Sequence, residues 1–227
     1  MYKQTSFLVA VLLLGSVVTV TPVMAQSSET LIAQASNPRL KELLEQGRRL
    51  VDTGDYNGAI SVYQEAARLD PRNARIHSGI GYLYAQQNNF KSALDSYRRA
   101  IAIDGNNSDF YYAIGYIKGN LGDTNGAKEA YRRSIQLNRG NFNAYLGLGV
   151  TQTALGDYES AMWAYEKAIE INKNNPQIYE LMGSMFKKRQ QTQQASNVLR
   201  KALSLYRSSN DAEGANRVEN MLREMGG

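Results

Sequence analysis

The chain has 227 residues, no cysteine, one histidine, four prolines and a formal net charge of +5. This length fits one ordinary domain or one array of repeats, and the missing cysteines exclude a disulfide framework and any thiolate metal site. The positive charge is spread along the sequence and therefore indicates no particular class of partner.

The first 25 residues differ in composition from the rest of the chain. Lys3 is the only charge, the run from Phe7 to Val20 is apolar, and Val23 and Ala25 are small residues before a polar stretch. This order is typical of a secretory signal peptide over residues 1–25 with cleavage after Ala25, while cleavage after Ala33 or retention as an anchor stays open. The apolar run is shorter than the ~20 residues that a membrane-spanning helix needs. We therefore expect an exported protein (periplasm, lumen or extracellular medium) with no stable membrane span after cleavage.

Residues 26–39 are polar and lack helical periodicity, which predicts a flexible N-terminal tail. From residue 40 onward the sequence repeats with a period of 34 residues. Two sets of small residues keep this period: Gly47, Gly81, Gly115, Gly149 and Gly183, and Ala59, Ala93, Ala127, Ala161 and Ala195. The common register predicts five repeats over residues 40–209, namely 40–73, 74–107, 108–141, 142–175 and 176–209.

Each repeat contains two stretches in which apolar and small residues recur at three- and four-residue steps, which predicts two helices. A turn separates them, and Gly54, Gly122 and Gly156 supply the positive φ that ends the first helix. Asn88 and Gln190 hold the same position in the second and fifth copies. A polar or acidic residue then suits the start of the second helix.

Residues 210–227 follow the last repeat. Ala215, Val218, Met221 and Leu222 fall on one helical stripe, with the charges on the opposite face. An array needs a polar-faced helix to cover its last apolar surface, so this segment is predicted to be a C-terminal capping helix. A partner-binding helix is the alternative.

The repeat resembles the tetratricopeptide repeat (TPR), a helix-turn-helix unit of 34 residues. The first copy carries the family's residues at Gly47, Ala59, Tyr63, Ala66 and Pro71, although later copies lack the closing proline. The resemblance covers residues 40 to about 209. It implies an all-α fold, a right-handed α-solenoid of TPR repeats closed by the capping helix.

Motifs for chemistry are weak or missing. His77 occupies the position that tyrosine holds in three later copies, so packing is favoured over catalysis or metal binding. The stretch GNLGDTNGAK lacks the spacing of a phosphate-binding loop. We therefore expect no enzymatic activity, no cofactor and no metal.

In the TPR family the first helices line a concave groove in which ligands bind. The resemblance places these residues there as a peptide-binding site: Arg75, Tyr82, Asp109, Tyr112, Tyr116, Asn120 and Asn143. It places further groove-lining residues in the last two repeats: Leu146, Val150, Gln177, Glu180, Ser184 and Lys187. Tyr82, Tyr112 and Tyr116 are expected to form an adjacent aromatic patch, with ordinary packing as the alternative.

Basic pairs recur on the second helices: Arg98-Arg99, Arg132-Arg133 and Arg200-Lys201. They are interpreted as a solvated face, with a ribbon for an acidic polymer or a membrane surface as the alternative. The predicted function is a non-enzymatic scaffold or assembly adaptor that binds a protein or peptide, and not nucleic acid, outside the cytoplasm. The alternatives are a structural, self-associating spacer in an envelope complex and an export or assembly factor for a polymer.

Overall fold

The computed structural model describes residues 37–226, and the predicted signal peptide lies outside these residues. Within this range the chain forms eleven α-helices and no strand. The helices are α1 (Pro38–Asp52), α2 (Tyr56–Leu69), α3 (Ala74–Gln86), α4 (Phe90–Ile103), α5 (Ser108–Asn120), α6 (Thr124–Leu137), α7 (Phe142–Leu155), α8 (Tyr158–Ile171), α9 (Pro176–Lys188), α10 (Thr192–Ser208) and α11 (Ala212–Glu224). The all-α expectation is confirmed.

The chain divides into two compact units after Leu137. The described part of the first unit holds three helical hairpins, α1–α2, α3–α4 and α5–α6. The second unit holds the hairpins α7–α8 and α9–α10, followed by α11. Each 34-residue copy therefore contains one hairpin.

Asparagines start the first helix of each hairpin. The side chains of Asn73, Asn107, Asn141 and Asn175 accept hydrogen bonds from backbone N–H groups at the starts of α3, α5, α7 and α9. Asn37 caps α1 in the same way, so α1 begins at Pro38, inside the segment predicted to be a tail. Capping by asparagine satisfies donors that a helix start leaves unpaired.

The turn inside each hairpin has the predicted left-handed residue. Gly54, Gly122 and Gly156 have φ of 79°, 80° and 81°, while Asn88 and Gln190 have 57° and 60°. The next residue caps the second helix in most copies; the Asp55 carboxylate, for example, accepts a hydrogen bond from the Gly58 N–H at 2.9 Å. The fifth copy lacks such a side-chain cap at α10.

Within each hairpin a glycine of the first helix faces a large side chain of the second. A Cβ atom added at Gly81 would lie 2.8 Å from the Tyr97 ring, and one at Gly149 would lie 2.5 Å from the Tyr165 ring. Contacts below 3.0 Å cannot be accommodated without movement, so the glycines let the two helices approach closely. The 34-residue glycine period is thus a packing requirement.

The last described helix, α11, is shorter than the segment predicted for the cap. Its Gly214, Ala215 and Val218 are buried, whereas Met221 and Leu222 of the predicted stripe are only half-buried. The helix packs against α10.

Candidate partner-binding surface

Three tyrosines of the predicted groove lie in the first unit. Tyr82 is on α3, and Tyr112 and Tyr116 are one turn apart on α5; all three are half-buried. The ring centroid of Tyr112 lies 6.0 Å from that of Tyr131 on α6. Tyr112 therefore contributes to packing within its own hairpin as well as to the surface.

Electrostatic interactions connect these hydroxyl groups. Burial raises the pKa of Tyr112, and the charges of Tyr116 and Asp109 raise it further. Burial also raises the pKa of Tyr97, on which both Tyr82 and Tyr112 act. The Tyr97 hydroxyl on α4 therefore lies near those of Tyr82 on α3 and Tyr112 on α5. Because the pKa values of Tyr82, Tyr97 and Tyr112 are all raised above the usual value of about 10, these three hydroxyls are neutral at physiological pH.

Polar residues of the predicted site differ in what they offer a ligand. Arg75 and Asp109 are exposed, and each lies in the first turn of its helix, α3 or α5. The Asn120 amide donates a hydrogen bond to the backbone carbonyl of Tyr116 at 2.9 Å. This donor of Asn120 is engaged within its own helix, and the Asp109 carboxylate accepts a hydrogen bond from the Ser108 hydroxyl at 3.3 Å. Arg75 and Asp109 are nevertheless the more exposed polar groups.

Asn143 belongs to the second unit, where it is half-buried on α7. Four other positions that the resemblance places in the groove of this unit are buried. Leu146 is 1% exposed and Val150 5%, and Gln177 and Glu180 are also buried. The expectation came from repeat position alone. Repeat position does not predict that nine successive residues of α7, Ala144–Gln152, are buried.

Glu180 on α9 is part of a buried polar cluster that the sequence did not predict. The Tyr206 hydroxyl donates a short hydrogen bond to its carboxylate, and Arg217 of α11 donates another at 3.2 Å. The Arg217 guanidinium also lies over the Tyr206 ring, 5.7 Å from its centroid. The resemblance places Glu180 in the groove and does not pair it with Arg217, which lies 37 residues later on α11.

Most of the basic pairs on the second helices have local partners. Arg98 pairs with Asp95 at 3.2 Å, and Arg132 with Glu129 at 3.4 Å. Arg133 lies over the ring of Tyr111 at 5.7 Å. Exposed pairs of this kind contribute little to stability, but they give the arginine side chains partners within the protein. The contacts favour the interpretation of a solvated face.

His77 contacts the turn that precedes its helix. Its Nε2 atom lies 3.0 Å from the carbonyl oxygen of Pro71. Tyr111 and Tyr179, in the same repeat position, donate hydroxyl hydrogen bonds to carbonyls six residues earlier, at 3.2 and 2.9 Å. The histidine therefore takes over a structural contact of tyrosine. Residues 37–226 contain no cluster of His, Cys, Asp or Glu that could hold a metal ion, and none of their helices is long and apolar enough to cross a membrane.

Comparison with known families decides what these hairpins are. Two tetratricopeptide-repeat models match residues 44–108 and 121–185, together more than half of the 227 residues. The chain belongs to the tetratricopeptide-repeat family. Repeats of this family typically form scaffolds for protein–protein interaction. A TPR repeat-containing protein of Picosynechococcus sp. is 39% identical over 54 residues, which are 24% of this chain and only 14% of that protein.

Solved structures show the same TPR fold. The crystal structure of MamA is 25% identical with a TM-score of 0.67, over 73% of this chain and 96% of MamA. MamA from Desulfovibrio magneticus RS-1 is 17% identical with a TM-score of 0.71, over 77% and 98% of the two chains. YrrB, a TPR protein with an unusual peptide-binding site, is 19% identical with a TM-score of 0.63, over 87% and 97%. The predicted class, an all-α repeat solenoid, is confirmed.

Proposed function

We propose that this TPR protein is a non-enzymatic scaffold that binds a peptide segment of a partner protein through the tyrosine surface of its first unit. The observation that carries the proposal is the set of half-buried tyrosines, Tyr82, Tyr112 and Tyr116, with exposed Arg75 and Asp109 in the first turns of the same two helices. Half-buried tyrosines provide a large apolar contact area and a hydroxyl at low cost in side-chain entropy.

The charges support a peptide as the ligand. Arg75 and Asp109 are opposite in charge and occupy the first turns of two successive first helices. A peptide backbone presents both donors and acceptors, and neutral tyrosine hydroxyls can serve either. The peptide-binding site named for YrrB supports this class of ligand on the same fold.

We further propose that the protein acts outside the cytoplasm. This rests on the composition of residues 1–25, with the apolar run that ends before Val23 and Ala25. N-terminal sequencing of the protein from the envelope or the medium tests it, and Gln26 is the expected first residue. An intact Met1 in a membrane pellet would show an anchor instead.

The binding surface is tested with a double variant, Tyr82→Ser with Tyr116→Ser. Tyr112 is left in place because its ring packs on Tyr131. A partner captured by the wild-type protein is identified, purified and titrated against both proteins. We expect the affinity to fall at least tenfold, in line with the loss of hot-spot tyrosines, while helicity is retained.

The matched control is Tyr84→Ser, on the same helix as Tyr82. Like Tyr82 and Tyr116, Tyr84 is half-buried and packs against the core of the first unit, but it lies outside the groove positions. This variant is expected to lower stability and to leave the affinity of the folded protein unchanged. Equal affinity of the double variant and the wild type would refute the proposed surface.

A further inference from the structure

Few buried apolar residues and three ion pairs attach α11 to the second unit. Only Gly214, Ala215 and Val218 of this helix are buried, whereas α9 buries eight residues. Three ion pairs join α11 to the preceding helices: Arg217 with Glu180 at 3.2 Å, Glu224 with Lys187 at 2.6 Å, and Glu219 with Arg207 at 2.6 Å. A segment with few buried apolar contacts opens more readily than the core.

Two of these ion pairs follow one geometric rule. Glu180 and Lys187 are seven residues apart on α9, and Arg217 and Glu224 are seven residues apart on α11. Seven residues are close to two helical turns, so each pair lies on one face of its helix. Because both pairs join residues 37 apart, α11 runs parallel to α9. The face of α9 thus recognises a positive and then a negative side chain.

The carboxylate of Glu180 makes this recognition strict. Its side chain is only 3% exposed and it accepts hydrogen bonds from Tyr206 and Arg217. A buried carboxylate without a cation carries a large desolvation cost. A helix that replaces α11 must therefore bring a cation to this point.

Close packing of α11 also limits the size of the side chains that a bound helix can have. A Cβ atom at Gly214 would collide with the ring of Tyr206. Ala215 and Val218, on either side of Arg217 in the sequence, are also buried. An occupant therefore needs small residues around its cation.

The link between α10 and α11 is a three-residue turn. Asn210 has a left-handed φ of 57°, and the Asp211 N–H donates to the Tyr206 carbonyl at 2.9 Å. The turn has the same form as those inside the hairpins, and few dihedral angles would have to change for α11 to leave.

We propose that α11 is a releasable cap over a helix-binding site on α9 and α10. The site takes a partner helix with an arginine flanked by small residues and a glutamate seven residues later. When α11 is closed, it occupies Glu180 and Lys187, two of the groove positions that the TPR pattern assigns to the fifth repeat. This site is separate from the tyrosine surface of the first unit.

Hydrogen exchange on the full chain tests the release. In the wild type, α11 amides are expected to exchange at least tenfold faster than those of α9. Arg217→Gln should accelerate exchange in α11 by a further tenfold or more and leave α1–α6 unchanged. The control is Arg223→Gln, whose guanidinium contacts Asn220 on its own helix. Equal protection of α11 and α9, unaltered by Arg217→Gln, would refute a releasable cap.

A labelled peptide with the sequence of residues 211–225 tests the site. We expect it to bind the Arg217→Gln chain at least tenfold more tightly than the wild type, whose own α11 competes. The same peptide with Gln in place of the arginine should lose at least tenfold in affinity. If the native peptide fails to bind a chain whose α11 exchanges freely, the helix-binding site is refuted.

A second variant keeps the test valid if Arg217→Gln does not fold. If Arg217→Gln disrupts the second unit, Glu224→Gln breaks only the exposed pair with Lys187. Glu224→Gln should accelerate exchange in α11 and tighten peptide binding, each by a smaller factor than Arg217→Gln. If neither the exchange rate nor the peptide affinity changes, the proposal is refuted. Neither experiment depends on Tyr82 or Tyr116, so the function proposed for the first unit can fail independently.

Discussion

At the scale of single residues, two glycines of α3 show that position within a hairpin decides what a side chain costs. A Cβ atom at Gly81 would lie 2.8 Å from the Tyr97 ring, whereas one at Gly79 would meet only the Tyr63 ring at 3.9 Å. Both glycines are buried inside the same helix. Only Gly81 belongs to the 34-residue glycine series.

These two positions give opposite predictions for alanine. Gly81→Ala should destabilise the protein by about 1–3 kcal/mol because the added methyl group overpacks a buried contact. Gly79→Ala should stabilise it by up to about 1 kcal/mol, the difference in helix propensity between alanine and glycine. Urea denaturation of both variants gives the two free energies of unfolding. Equal effects of the two substitutions would show that the contact between Gly81 and Tyr97 does not limit packing.

His77 shows how far repeat position reaches as a predictor. Its repeat position predicts a packing role, and its ring contacts the turn that precedes α3. The sequence could not give its partner, because the Pro71 carbonyl lies in a turn whose path is set by the fold. Tyr111 and Tyr179 make the equivalent contact, so this position selects for a ring with a polar end.

At the scale of the helical hairpin, the turn residue is the weakest feature of the fifth copy. Gln190 has φ of 60°, which costs a residue with a Cβ atom about 1–2 kcal/mol relative to glycine. Gly156 holds the same position in the preceding hairpin with φ of 81°. The two hairpins lie in the same unit.

Exchanging these residues tests the cost directly. Gln190→Gly should raise the free energy of unfolding by about 1 kcal/mol, since the relief of strain exceeds the entropy that glycine loses on folding. Gly156→Gln should lower it by a similar amount. Thermal and urea unfolding of the second unit's helices measure both. A neutral Gln190→Gly would mean that the side chain of Gln190 makes a compensating contact.

The hairpins were predictable because one register fixes the glycine, alanine and turn positions of every copy. The starts of the first helices were harder to predict. Their capping residues recur every 34 residues but lie outside the positions by which the repeat is recognised: Asn73, Asn107, Asn141 and Asn175. Contacts between hairpins and α11 could not be predicted. The pairing of Glu180 with Arg217 depends on how two helices pack, which the repeat pattern does not encode.

At the scale of the whole molecule, buried tyrosines are common to both units. Tyr97 and Tyr131 are buried in the first, and Tyr165 and Tyr206 in the second. Burial raises the pKa of all four above the value of about 10 for an exposed tyrosine. Tyr63, which is half-buried, has a pKa of about 12 for the same reason.

This burial makes the fold sensitive to alkali. Below pH ~10 both the folded and the unfolded chain keep their tyrosines protonated, so the stabilising contribution is complete. Above that pH the unfolded chain releases protons that the folded chain retains, and the free energy of unfolding falls as pH rises towards the folded pKa values. We expect unfolding by alkali in which the tyrosinate absorbance of the buried residues and the loss of helicity coincide.

Tyr165→Phe isolates one contribution to this alkaline transition. The Tyr165 hydroxyl lies 3.4 Å from the Thr153 hydroxyl, a long contact, so its removal should change stability at neutral pH by less than about 1 kcal/mol. Because phenylalanine cannot ionise, the variant should lose stability less steeply than the wild type above pH ~10. All other ionisable groups are common to the two proteins, so the difference in slope belongs to Tyr165. Denaturant titrations across this pH range measure the two slopes. Parallel slopes would mean that Tyr165 ionises as readily in the folded chain as in the unfolded one, contrary to its burial at 1% exposure.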